Sequence, residues 1–138
     1  MSEKYRPLSN KTLKHNISYC HPPALLFSIT ENDPATKVMT DFRKIRPITT
    51  QLGTSIVDCN EQMIMNNVRL LLVTDNKKEV HGIITAAAIL GEKPLFHMQK
   101  MGSTRDEIQA KDIMTPTADL EALKLDDVES ARVCDIVE

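Results

Sequence analysis

The chain has 138 residues, with 41% hydrophobic and 26% charged side chains, and so falls in the ordinary range for one globular domain or two small repeats. Seventeen basic against nineteen acidic residues leave a net charge of −2, which supplies no overall field for gripping nucleic acid. Aromatics are 4% with no Trp, so base-stacking platforms are excluded too, and the core must be aliphatic.

The N-terminal run MSEKYRPLSNKTLKHN is polar and unlike a signal peptide, and no apolar stretch is long enough to span a bilayer. Cys20, Cys59 and Cys134 are odd in number and widely spaced, which reads as reduced thiols and a cytoplasmic setting. Charge is uneven: residues 1–30 carry +3, residues 31–102 carry +1 and residues 103–138 carry −6. The basic start and acidic end could attract one another, within a chain or between two, or simply form solvated faces.

Residues 1–23 read as an extended arm ending in Pro22-Pro23, followed by a short strand at 24–29. Asp33-Pro34 is a helix start, Asp as cap and Pro at the first position, for a helix finishing near Met39-Thr40. Pro47 to Thr50 (PITT) is a strand by β-branching. Ser55 caps a helix that aligns Ile56, Cys59 and Met63 on one face, with Asp58 in the position of a capping box. Arg69 to Thr74 (RLLLVT) is a buried strand; Asp75 to Lys78 is a turn; Val80 to Thr85 (VHGIIT) is the returning strand of a hairpin. Helices follow over Ala86–Leu90, halted near Gly91, and Pro94–Met101, stopped by Gly102.

The pattern then restarts. Val38-Met39-Thr40 returns as Ile113-Met114-Thr115, an offset of 75, while Ile48 returns as Leu120 and Ile56, Cys59 as Val128, Ala131 at an offset of 72. This predicts a second strand around Leu120 and a helix over 128–138, with Asp126-Asp127 at its start. The hairpin would recur from position 141, beyond Glu138, so the second unit is expected to hold only its first half. Its uncovered edges favour a homodimer, with exchanged segments as one form.

PITT, a helix, VRLLLVTD, a turn and VHGIITAAAIL together resemble the cystathionine-β-synthase (CBS) domain family, and the Met-Thr pairs at 39–40 and 114–115 stand where that family has "VMT" or "IMTP". The resemblance implies an α/β (α+β) fold of tandem β-α-β-β-α units. The expected division is an arm at 1–33, a first repeat with its linker helix at 34–102, and a partial second repeat at 103–138. It implies a regulatory module, not an enzyme, pairing as a homodimer. No cofactor is implied beyond an adenosine compound (AMP, ADP, ATP or S-adenosylmethionine) as regulatory ligand in a cleft between units. The alternative is a ligand-free interaction module that has lost nucleotide binding.

Within the family's Gly-h-h-Thr/Ser-x-x-Asp signature, Gly82 and Thr85 match, but the ribose-binding Asp falls on Ala88. Losing that acceptor costs on the order of 1.5–3 kcal/mol of binding. The candidate ligand residues are Thr85 for a ribose or phosphate, Arg46 and Arg69 for phosphate oxygens, and Ile48 and Ile83 as walls of an adenine slot. Each has a plainer role: a helix cap, solvated strand-end charges and core packing. His15, Cys20 and His21 supply only three zinc ligands in an arm; His81 and His97 read as surface or satisfied core histidines. No GxSxG, HExxH or glycine-rich phosphate loop occurs.

Overall fold

The computed structural model describes residues 7–20 and 28–137. It is a mixed α/β structure around one four-stranded sheet: β1 (Thr49–Gln51), β2 (Leu70–Thr74), β3 (Val80–Thr85) and β4 (Thr115–Pro116), in the order β1-β2-β3-β4. β1 runs parallel to β2, with α1 (Ile56–Met65) as the crossover; β2 and β3 form the expected hairpin, with a bulge at Val73/Thr74. α2 (Ala86–Leu90) follows β3 directly, and α3 (Lys93–Met101) ends on Gly102, whose φ of 65° is the left-handed conformation that closes a helix. The strand expected at 24–29 lies outside the described residues over 24–27, and residues 28–29 are in no strand.

The periodicity of α1 is realised as packing. Ile56, Cys59 and Met63 are buried against Leu71 and Val73 of β2 and Ile84 of β3, and Ile89 of α2 closes the same core. Ser55 Oγ accepts from the Asp58 amide at 3.1 Å, as a cap should. The Cys59 thiol lies 3.7 Å from Thr50 Oγ1, and burial pushes its pKa up, so it serves as a small apolar side chain.

Three core residues, Ile108, Ala110 and Ile113, come from the start of the expected second repeat, ahead of the strand expected at Leu120. It forms α4 (Ala110–Ile113) and leads into β4, which pairs antiparallel with β3 through Gly82↔Pro116 and Ile83↔Thr115. A Cβ on Gly82 would collide with the Thr115 carbonyl oxygen and lie 3.0 Å from Met114 Sδ. The glycine is there so that β4 can approach.

The second half departs from expectation in three places. Leu120 is not in a strand: its amide closes a 3₁₀ turn onto Thr117 O (3.2 Å), and β4 occupies the sheet edge five residues earlier in the chain. Among the described residues the helix expected over 128–138 is instead α5, Leu125–Ser130, with Asp126 and Asp127 in its first turn as expected. Past Ser130 the backbone groups a helix would use are taken elsewhere, Ala131 O by the Ala35 amide (2.9 Å) and the Val133 amide by Asp33 O (2.8 Å). For the same reason the helix predicted from Asp33-Pro34 is only a 3₁₀ turn, Ala35–Lys37. Asp33 does not cap it but accepts from the Thr30 amide at 2.8 Å.

These bonds match a second set. Ala110 N donates to Thr54 O (2.7 Å) and Ile56 N to Ile108 O (2.9 Å), and the bridge Ser55↔Gln109 mirrors Pro34↔Arg132. Residues 33–35 thus correspond to 108–110, 75 apart, and 54–56 to 131–133, 77 apart. The offset of 72 for the helical face is corrected to 77: Ile56 answers to Val133, not Val128. Under this register Asp58 also answers to Asp135, which opens the 3₁₀ turn Val133–Asp135 by accepting from the Arg132 amide at 2.8 Å.

Candidate functional site

Leu72 and Thr74 of β2 lie between the segment entering β1 and the hairpin turn. There the chain leaves a cavity of about 520 Å³, lined by Arg46, Pro47, Ile48, Thr49, Leu72, Thr74, Lys78 and Val80. That volume suits a small organic ligand. Ile48 is held in place by its carbonyl, which accepts from the Leu72 amide at 3.1 Å, and Thr49 sits beside Leu72 in the β1–β2 register. Lys78 reaches the cavity through a left-handed backbone (φ 63°), with its amide donating to Asp75 O at 3.0 Å. The lining is apolar on Ile48, Leu72 and Val80 and offers two threonine hydroxyls; its only charged groups are the cations Arg46 and Lys78. Such a lining favours a ligand with an apolar body and an anionic end.

The five residues singled out in the sequence do not converge. Arg46 and Ile48 line this cavity together. Ile83 is half-buried on β3 beside Leu72, one strand further in. Thr85 and Arg69 sit at the opposite end of the hairpin, where the Ala86 amide donates to Arg69 O at 2.9 Å. Arg69 lines a separate groove of about 570 Å³ with Asn60, Met63, Ile64, Asn67, Val68, Ala86 and Leu90. Arg46 and Arg69 line two different cavities and so do not flank one cleft. Thr85 Oγ accepts from the Ala88 amide at 3.1 Å and so caps α2. Ala88, in the place of the signature's Asp, packs against the core.

Lys78, Thr74 and Val80 were missed in the sequence. The turn Asp75-Asn76-Lys77-Lys78 was visible, but which lysine faces inward depends on a positive φ that composition does not announce. His81 is neither a core nor a bare surface histidine. Its Nε2 lies 2.8 Å from Asp75 Oδ2, while Asp75 Oδ1 accepts from the Lys77 and Glu79 amides at 2.8 and 3.0 Å. The His81 contact first, and then the Glu79 amide, hold the Asp75 carboxyl below its ordinary pKa. Of the arm's three metal-ligand residues, His15 and Cys20 are exposed and His21 lies outside the described residues.

Residues 35–94 match the family model for the CBS domain, the segment that holds β1 to α2 and the cavity. The chain contains a CBS domain. A solved structure of an uncharacterized conserved protein from Pyrococcus horikoshii is similar at 18% identity with a TM-score of 0.53, covering 78% of this chain and 70% of its own. A CBS-pair protein from Arabidopsis thaliana is 23% identical with a TM-score of 0.42, covering 64% of this chain and 62% of its own. A CBS-domain-containing protein from Agrobacterium tumefaciens is 21% identical with a TM-score of 0.38, covering 50% and 48%. The chain therefore spans less than two thirds of the latter two proteins. No curated protein matches. Among the described residues no helix is long and apolar enough to cross a membrane.

Proposed function

We propose that this CBS domain belongs to a regulatory module that binds an adenosine phosphate in the cavity between Arg46, Ile48 and Lys78. The observation that carries the reading is the pair of cations, in a lining that holds no acidic side chain, over an apolar wall of Ile48, Leu72 and Val80. Phosphate oxygens suit that pair, and the adenine ring suits the wall. This favours AMP, ADP or ATP over S-adenosylmethionine, whose sulfonium adds a positive charge where two already stand. Ile83 borders the wall through Leu72; Arg69 and Thr85 are left to structural roles. Occupancy acts by shifting the arrangement of paired units, and by no more than the ligand's differential affinity for the two arrangements.

The matched hydrogen bonds of residues 33–35 and 108–110 support reading residues 103–138 as the opening of a second unit. Two copies of the chain then associate as a homodimer, and light scattering at micromolar concentration that finds only monomer overturns that part. Calorimetric titration with AMP, ATP and S-adenosylmethionine tests the ligand. Heat from AMP or ATP, reduced in an Arg46→Ala variant, is the expected result. Silence from all three at millimolar concentration sinks the nucleotide reading. It would leave a ligand-free interaction module, a reading that the loss of the Asp at position 88 favours.

A further inference from the structure

The hairpin turn holds a second cluster that the nucleotide reading does not use. The donor atoms of Asp75, Glu79 and His81 all lie within 4.8 Å of one another, two carboxylates and an imidazole on one tight turn. We infer that these three side chains form a site for a divalent transition-metal ion, with Zn²⁺ as the representative ion.

The mixed donor set carries the argument. Imidazole nitrogen with carboxylate oxygen is the ligand combination of zinc sites that keep a position open for water or an anion. Donors on a tetrahedral zinc stand about 3.4 Å apart, from metal–ligand bonds of roughly 2.0–2.1 Å. Asp75 Oδ2 and His81 Nε2, now 2.8 Å apart, need to part by a fraction of an ångström. The exposed Glu79 side chain needs only to swing inward, and the strands fix the backbone on both sides. Asp75 is already aimed, because its other oxygen is tied to two amides of the turn.

Charge points the same way. Two carboxylates within 4.8 Å repel, yet neither Lys77 nor Lys78 forms an ion pair with either of them, although both lysines belong to the turn. A divalent cation neutralises both carboxylates and takes the Nε2 lone pair, leaving the ring proton on Nδ1. The contact between His81 and Asp75 is the hydrogen-bonded form of the same arrangement.

The test uses the full chain after removal of metal by chelation, titrated calorimetrically with Zn²⁺ and separately followed by absorbance with Co²⁺. One equivalent of Zn²⁺ should bind. His81→Gln and Glu79→Gln should each weaken it by at least about tenfold with unchanged far-ultraviolet circular dichroism. The Co²⁺ spectrum should lack a sulfur-to-metal charge-transfer band, since no cysteine belongs to the site. Absence of Zn²⁺ uptake, wild-type affinity in either variant, or a thiolate band from Cys20 or Cys134 overturns the proposal.

Discussion

Ala35 and Ala110, 75 positions apart, play the same part at two joints. Each is fully buried and donates its amide to a carbonyl just ahead of a helical turn, Ala35 to Ala131 O at 2.9 Å and Ala110 to Thr54 O at 2.7 Å. Both methyl groups are fully buried, so a larger side chain has to displace its neighbours. Enlarging either residue should therefore overpack its joint at a cost of about 1–3 kcal/mol. The consequences should differ in location. Ala110→Val strikes the core beside Ile56 and should lower the urea midpoint of the whole domain. Ala35→Val should mainly release the contact with residues 131–133, visible as loss of amide-exchange protection at Val133. Equal effects at both places would mean that the two joints are not independent.

Gly82→Ala should dislodge β4. The added methyl meets the Thr115 carbonyl oxygen, a backbone atom that cannot move without breaking the Gly82↔Pro116 and Ile83↔Thr115 pairing; Met114 Sδ, also close, can swing away. A loss of about 1–3 kcal/mol in denaturant unfolding is expected, with the Thr115 and Pro116 signals perturbed first in NMR spectra. Gly53→Ala is the control, since a Cβ there meets nothing within 4 Å.

Acid should loosen the contact between residues 30–45 and 131–137. Hydrogen bonds from Arg43 hold the Asp41 carboxyl down at about 2, and the same arginine reaches Glu129 at 3.8 Å. The backbone amide of Thr30 lowers Asp33, and that of Arg132 lowers Asp135. In each case the folded value lies below the ordinary 3.8, so the stabilisation is full above that value and disappears as pH falls through the folded one. Between pH 5 and pH 2 the signals of residues 30–45 and 131–137 should shift before those of the sheet. Asp41→Asn should remove part of that pH dependence; an unchanged profile would clear Asp41 of the role.

Where the sequence could be read and where it could not follows from the range of the interactions. β3, α2 and the cap at Ser55 rest on alternation, a local helix former and a hydroxyl three residues from its amide, all visible within ten residues. Ala35, Val133 and β4 depend on partners about a hundred or about thirty positions away, so no local pattern marks them. The repeat was visible, yet its second offset was misjudged because Val128 and Ala131 imitate the spacing of Ile56 and Cys59, while the hydrogen bonds choose Val133. Of the residues singled out in the sequence, Arg46 and Ile48 line one cavity. Arg69 was not separable from them in the sequence, because which cavity an arginine lines depends on the tertiary fold.

That separation makes the ligand experiment decisive between two arginines of identical chemistry. Arg46 shares its cavity with Lys78, whereas Arg69 lies in the groove beside α1 and α2 with Ile64 and Leu90. Removing one charge-assisted contact to a phosphate costs about 1.5–3 kcal/mol, roughly tenfold to a hundredfold in affinity. Arg46→Ala and Lys78→Ala should each weaken ATP binding by that factor, and the double variant should abolish measurable heat. Arg69→Ala should leave the affinity within about twofold. Thr85→Ala should act on stability alone, by the roughly 0.5–2 kcal/mol that a lost N-cap costs, because its hydroxyl already accepts from the Ala88 amide. If Arg69→Ala and Thr85→Ala weaken the nucleotide while Arg46→Ala does not, the ligand sits at the other end of the hairpin.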